Sequence, residues 1–314
     1  MSDYRPVEIH GFYRSHTHLP IWEVIERAGI WKSLGIKASF DYCDSSSVAE
    51  AALFDGGVDF VSGNHISPYG LVAKGKPIVS LASPSNSVND MLVSRTPLRS
   101  INDLRGKRLA DTTVTDKSGG YNHIRGNHML YVLRAGLRLE DVEWVEIADI
   151  MSEEFRSKQI AAVKEGRADA TMVTGAADKF EKEGLHVLEL GRLPMINGPT
   201  LTSTIANLKR KDRLAERLVK GLVLGIHYAR SNPQETERIL AGLRARVPEA
   251  NATYNSVAKL LPKPYPDHRA IANAYELCCM KDATAKELSP LALWDLHELR
   301  ELDDSGFIDR LYGA

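Results

Sequence analysis

Short apolar runs and helix-spaced apolar stripes take turns along the first half of this chain. Residues 7–13 (VEIHGFY) read as a strand. In 20–29, Ile21, Val24, Ile25 and Ala28 recur at the spacing of one helix face, and 30–35 closes that helix with Gly35 as its stop signal. Residues 36–43 return to strand, and Ser45-Ser46-Ser47 supplies an N-cap for the helix entered at Val48. Residues 57–61 form another buried strand, Asn64 or Ser67 caps a helix running to Lys74, and 77–82 is a fourth strand. Alternation of this kind predicts a parallel sheet with helices on its faces.

The plan then repeats. Residues 104–110 turn into a strand, Ser118-Gly119-Gly120 opens a helix that stops at Gly136, 142–147 is a strand, 160–163 is the apolar stripe of a helix, and 166–173 leads into a strand. Two stretches echo one another: LFDGGVDFV at 53–61 and VKEGRADAT at 163–171 each run from a helix end through a glycine turn and one aspartate into a buried strand. Two lobes built on one plan account for that echo. From Asp212 onward the pattern is helical, with Leu214, Leu218, Leu222 and Ile226 four apart.

Length and charge narrow the classes. A chain of 314 residues suits two lobes of about 150 residues each. Its 40 Lys+Arg against 41 Asp+Glu leave a net charge of -1, without the basic surplus of a general nucleic-acid binder. No apolar stretch is long enough for membrane insertion. The N-terminus lacks the basic end, apolar stretch and cleavage site of a secretory leader, which predicts a cytoplasmic protein, or a periplasmic one if a leader has been removed. Three cysteines, Cys278 and Cys279 adjacent, do not suggest a disulfide framework.

In order and spacing these segments resemble the two-lobed solute-binding proteins of the sulfonate, nitrate and pyrimidine-precursor type, including the thiamin-pyrimidine synthase-like proteins. The resemblance is carried by HLPI at 18–21, GIWKSLGI at 29–36, GVDF at 57–60, KGKPIV at 74–79, INDLRGKR at 101–108 and EGRADA at 165–170. It implies the type II solute-binding fold: two Rossmann-like α/β lobes with mixed, mainly parallel sheets joined by two hinge crossovers. The first lobe would be discontinuous, 1–85 plus 200–314, and the second, 86–199, inserted. The crossovers would fall in the Pro-, Ser-, Asn- and Gly-bearing stretches 83–87 and 194–199. The ligand would occupy the cleft between lobes, against loops at the carboxyl ends of strands.

That placement gives the polar loop residues meaning. His16 and His18 follow the first strand, His65 follows the third, and His123 stands where the second lobe's first helix begins. With Tyr13, Arg14, Ser46, Asn64, Asn122 and Asn197 they form the expected ligand-binding set. Ser118-Gly119-Gly120-Tyr121-Asn122 is the strongest anion site in it, because glycines before a helix leave its first N–H groups accessible. Arg14 and Arg125 have the planar fork that pairs with a carboxylate or sulfonate. The histidine spacing matches no metal template, and no nucleotide loop or nucleophile elbow is present, so neither metal nor cofactor is expected. Cys43, ending the second strand, is read as a small buried hydrophobe, and Trp22, Trp31, Trp144 and Trp294 as packing.

Two functions fit. The favoured one is a binder that closes over a small organic anion or heterocycle and delivers it, like the substrate-binding component of an ABC transporter. The alternative is a cytoplasmic decarboxylase, desulfinase or related enzyme on the same fold, with His16, His18, His65 and His123 as acid–base groups. The synthase branch carries a cysteine-rich stretch near the second crossover, where this chain has MINGPTLTS at 195–203. The partner implied is a small-molecule ligand, with neither nucleic acid nor membrane insertion expected. The C-terminal helices around Cys278, Trp294 and His297 either brace the first lobe or form a homodimer contact.

Overall fold

A computed structural model of the chain describes residues 4–63, 65–113, 122–148 and 154–313. In chain order its strands are β1 (Val7–Tyr13), β2 (Ile36–Tyr42), β3 (Phe60–Ser62), β4 (Ile78–Ala82), β5 (Ser85–Ser94), β6 (Arg108–Thr112), β7 (Glu143–Ala148), β8 (Ala170–Val173), β9 (His186–Asn197) and β10 (Leu201–Thr204). Helices α1 (Leu19–Arg27), α2 (Ile30–Ser33), α3 (Ser46–Asp55) and α4 (Pro68–Ala73) connect β1 to β4. Helices α5 (His123–Arg134), α6 (Phe155–Lys164) and α7 (Ala177–Lys182) lie between β6 and β9, and α8 (Ile205–Arg210), α9 (Leu214–Ser231) and α10 (Pro233–Arg246) follow β10.

Two compact units result, residues 1–86 with 196–314 and residues 87–195, so the chain passes between them within β5 and β9. The first is built on a five-stranded sheet in the order β2-β1-β3-β10-β4 and the second on one in the order β7-β6-β8-β5-β9. Both are mixed. β1 runs parallel to β2 and β3, whereas β10 is antiparallel to β3 and β4. In the second sheet β6 is parallel to β7 and β8, and β5 is antiparallel to β8. The parallel order that local alternation implies becomes the mixed sheet implied by the resemblance because β10 returns from far along the chain and inserts antiparallel between β3 and β4. β3, β4 and β10 are buried throughout, as strands covered on both faces must be, while β2 sits at an edge and is exposed toward its end.

The core of the first unit is aromatic. Trp22 stacks on Trp31 with ring centroids 6.3 Å apart and meets Phe60 edge-on at 5.6 Å, and its indole N–H donates to Ser62 Oγ at 2.9 Å. Two glycines admit these rings. A Cβ on Gly11 would lie 2.6 Å from the Phe60 ring, and one on Gly221 of α9 would lie 2.4 Å from Trp31. The α9 stripe of Leu214, Leu218, Leu222 and Ile226 is fully buried here. The single helix expected over 20–35 is instead two, because Gly29 takes the left-handed conformation (φ 71°) and ends the first before α2 begins.

The echoed stretches have the same geometry. Gly56 and Gly166 turn with φ 72° and 77°. Asp59 then accepts the His10 backbone N–H at 2.9 Å and donates its own N–H to the His10 carbonyl at 2.7 Å. Asp169 does the same with Arg108, at 2.9 and 2.8 Å. In each unit a carboxylate at the entry of one strand fixes the register of its parallel neighbour.

The C-terminal segment braces the first unit. Trp294 bridges to Ser80 of β4 and donates its indole N–H to Tyr69 Oη at 3.3 Å, and the Tyr69 hydroxyl donates to the Pro290 carbonyl at 2.8 Å. Among the described residues no helix is long and apolar enough to cross a membrane.

Candidate functional site

In the first unit Tyr13, Arg14, His16, His18, Ser46 and His65 follow or end β1, β2 and β3 at their carboxyl ends. Tyr13 ends β1, and the next residue, Arg14, hands its backbone N–H to the Ser62 carbonyl at 3.0 Å, prolonging the β1–β3 ladder. The Arg14 guanidinium crosses to the end of β2, donating from Nη1 to the Cys43 carbonyl at 2.6 Å and from Nη2 to Ser46 Oγ at 2.8 Å. Ser46 opens α3, a helix capped by Ser45, whose Oγ accepts the Val48 N–H at 3.3 Å. A fixed positive charge thus sits beside the amino end of a ten-residue helix, an arrangement that favours anions.

The histidines divide. His18 is buried and donates from Nδ1 to the Ser62 carbonyl at 3.1 Å, so one nitrogen is committed to holding the loop. His16 is half-buried, and its ring stacks on Tyr42 with centroids 4.0 Å apart and an interplanar angle of 22°. His65 is buried after β3, and Asn197 is half-buried at the end of β9. Burial, followed by the charges of Asp41 and Glu249, pushes the Tyr13 phenol above its usual range. Cys43 is buried, its thiol donating to the Ser45 carbonyl at 3.3 Å. Asn64 lies outside the described residues. The other cap expected there, Ser67, does not cap α4; its hydroxyl donates to Glu50 Oε1 at 2.6 Å.

The second unit treats its polar residues differently. Ser118, Gly119, Gly120 and Tyr121 lie outside the described residues, and α5 begins at His123 with Asn122 as its cap. Asn122 is fully buried. Its Oδ1 accepts the N–H groups of Ile124 and Arg125 at 3.0 and 3.2 Å, and its Nδ2 donates to Thr112 Oγ1 at 2.6 Å and the Thr113 carbonyl at 2.8 Å. All four positions of the amide are taken by protein partners. Arg125 is also inside: it donates to the Thr112 carbonyl at 3.2 Å, lies 3.8 Å from Asp111 and covers the Trp144 ring at 3.7 Å.

Beneath it is a pair that local sequence reading does not single out, Asp111 with His128, joined at 2.8 Å and both buried. Burial alone would push the His128 imidazole down, but Asp111 outweighs it and holds His128 above its ordinary value. His123 goes the other way: burial, and then the charge of His128, lower it to about 4, leaving it neutral at pH 7. Tyr42 is the corresponding omission in the first unit. Its pairing with Tyr13 follows only from the β1–β2 register, and it stands 40% exposed at the sheet edge. Among the described residues no three His, Cys, Asp or Glu side chains converge as a metal site. A depression of about 320 Å³ between α1 and α10 is lined by residues including Glu23, Arg27, Glu235, Arg238 and Arg246, and its guanidiniums are paired with Glu23 and Glu235.

Two mixed five-stranded sheets, each flanked by helices and joined by two passages of the chain, define a two-lobed α/β protein of the type II solute-binding fold. The chain belongs to the NMT1/THI5-like family, whose sequence model matches residues 24–236, more than half its length. No curated protein matches it. Among solved structures it is similar to the periplasmic sulfonate-binding protein SsuA from Methylobacillus flagellatus KT, with a TM-score of 0.65 and 14% identity over 98% of this chain and 97% of that one. It is similar also to the periplasmic aliphatic sulphonate binding protein SsuA from Escherichia coli, with a TM-score of 0.60 and 15% identity over 94% and 91% of the two chains. A DszB mutant in complex with biphenyl-2-sulfinic acid gives a TM-score of 0.59 and 16% identity over 95% and 99%.

Proposed function

We propose that this chain is a solute-binding protein that takes a small organic anion at the carboxyl ends of β1, β2 and β3. The observation that carries this reading is Arg14. Its guanidinium is held by the Cys43 carbonyl and Ser46 Oγ at the start of α3, so the charge is already oriented before any ligand arrives. Pre-orientation lowers the ordering cost of binding, and a charge-assisted contact to a carboxylate or sulfonate adds to the effect of the helix end. The sulfonate-binding neighbours support the same class of ligand, and two of them are described as periplasmic. A carrier of this kind would work there rather than in the cytoplasm. The enzymatic alternative gains less support: His18, one of its acid–base candidates, is tied to a backbone carbonyl.

The test is a thermal-shift and calorimetry panel of alkyl and aryl sulfonates, carboxylates and uncharged heterocycles at pH 7. Anions should raise the melting temperature by mass action. Arg14→Gln should weaken binding roughly 10- to 100-fold, as expected for a lost charged hydrogen bond, with the circular dichroism spectrum unchanged. Stabilisation by the uncharged compounds alone, or anion binding unaltered in Arg14→Gln, would overturn the assignment.

A further inference from the structure

Beside Arg14 stands a ladder of three rings. Tyr13 and Tyr42 are register partners on β1 and β2, with centroids 5.6 Å apart. His16 packs against both, tilted 5.7 Å from Tyr13 and stacked 4.0 Å from Tyr42. Tyr13 is buried, His16 half-buried and Tyr42 40% exposed, so the ladder climbs from the core to an open ring at the end of an edge strand. A surface tyrosine alone would need no explanation. The His16 ring does need one: its Nδ1 is buried with no hydrogen-bond partner among the described residues. Among the described residues no hydrogen bond on that side of the imidazole offsets the cost of desolvating it. The stack on Tyr42 is what this ring position supplies.

We propose that the Tyr13–His16–Tyr42 ladder is a stacking platform, and that the anion this chain binds carries a planar aromatic or heteroaromatic ring. The proposal rests on the anion-binding reading above and narrows its ligand class. The charge lies within the same few residues: Arg14 follows Tyr13 in the chain and donates to the carbonyl of Cys43, the residue after Tyr42. A ring laid on Tyr42 would extend an offset stack that His16 already begins, with its acid group toward the guanidinium. A flexible alkyl chain of the same charge gains apolar burial there but not the stack.

Matched pairs that differ only in planarity isolate the effect: benzenesulfonate against cyclohexanesulfonate, and benzoate against cyclohexanecarboxylate, by calorimetry. The aromatic member of each pair should bind about 5- to 10-fold more tightly. Tyr42→Leu, which keeps apolar area, should erase that preference while leaving the cyclohexyl affinities within twofold, and Tyr42→Phe should retain it. Equal affinities within each pair, a preference for the cyclohexyl member, or equal losses for both members in Tyr42→Leu would overturn the platform and leave anion binding standing. Binding of no sulfonate or carboxylate at all would overturn the anion-binding reading itself, and the platform with it.

Discussion

The two units begin from one plan and finish it in opposite ways. Each has a glycine turn, an aspartate that fixes a parallel neighbour, and arginine, histidine and amide residues just beyond the strand ends. In the first unit the strand-entry aspartate, Asp59, is nearly inaccessible and paired with Lys211 and Arg210, while the residues after β1 remain partly open: Arg14 and His16 half-buried, Tyr42 exposed. In the second unit the strand-entry aspartate, Asp169, is the open one, 30% exposed and paired with Arg108, while the polar residues near the end of β6 are shut inside: Asp111 pairs with His128, Asn122 bonds to Thr112 and Thr113, and Arg125 donates to the Thr112 carbonyl. Polar residues at strand ends therefore carry no fixed meaning. What separates the two sets is how far each is shut from solvent.

The largest effect expected from this contrast is on stability. Asp111→Ala leaves His128 and Arg125 buried without their carboxylate, and breaking such a group typically costs about 3–5 kcal/mol. Urea denaturation should show that loss, whereas Arg14→Gln should change stability by about 1 kcal/mol or less while changing binding. A tolerated Asp111→Ala would erase the distinction between the closed network and the open site.

This network also marks where the sequence stops being readable. Strands and helices over residues 7–82 follow from local period, as does the α9 stripe, and the Ser45 cap follows from its residue type. The insertion of β10 between β3 and β4 does not, because alternation within a strand says nothing about which distant strand it pairs with. Asp111 and His128 are 17 residues apart and meet only once α5 packs on β6, and Gln159, 3.5 Å from Asp111, is 48 residues away. Arg14, His16 and Ser46 stand out as polar residues after strands, yet their neighbour Tyr42 does not: it looks like one more aromatic in a strand until the edge position of β2 leaves it exposed.

A smaller effect is one of pH. His123 has its folded value lowered to about 4 from an ordinary 6.5. Between those values the unfolded chain takes up a proton that the folded protein refuses, so stability falls as the pH drops from about 6.5 toward about 4. His128, held above its ordinary value by Asp111, works in the other direction: its contribution is complete below about 6.5 and fades as the pH rises through its folded value. Denaturation midpoints measured from pH 4 to 9 should decline at both ends. His123→Gln should flatten the acid side alone, and a variant that keeps the full acid decline would show that the His123 environment is not what disfavours the proton.

The smallest effect compares the two helix caps directly. Ser45 satisfies one N–H of α3 at 3.3 Å in a partly exposed setting, and Ser45→Ala should cost about 0.5–1 kcal/mol. Asn122 satisfies two N–H groups of α5 and spends its own amide on Thr112 and Thr113, all of it buried. Asn122→Ala should therefore cost about 2 kcal/mol, because it loses the cap and leaves Thr112 Oγ1 and the Thr113 carbonyl without that donor. Asn122→Asp separates the two contributions. It keeps the acceptor for the helix N–H groups and removes the Nδ2 donor, placing a carboxylate oxygen against the two oxygens that Nδ2 had served. If Asn122→Asp is at least as destabilising as Asn122→Ala, the burial of the cap and not the cap itself sets the difference between the units. If it matches the small cost of Ser45→Ala, the two strand ends are built more alike than their exposure suggests.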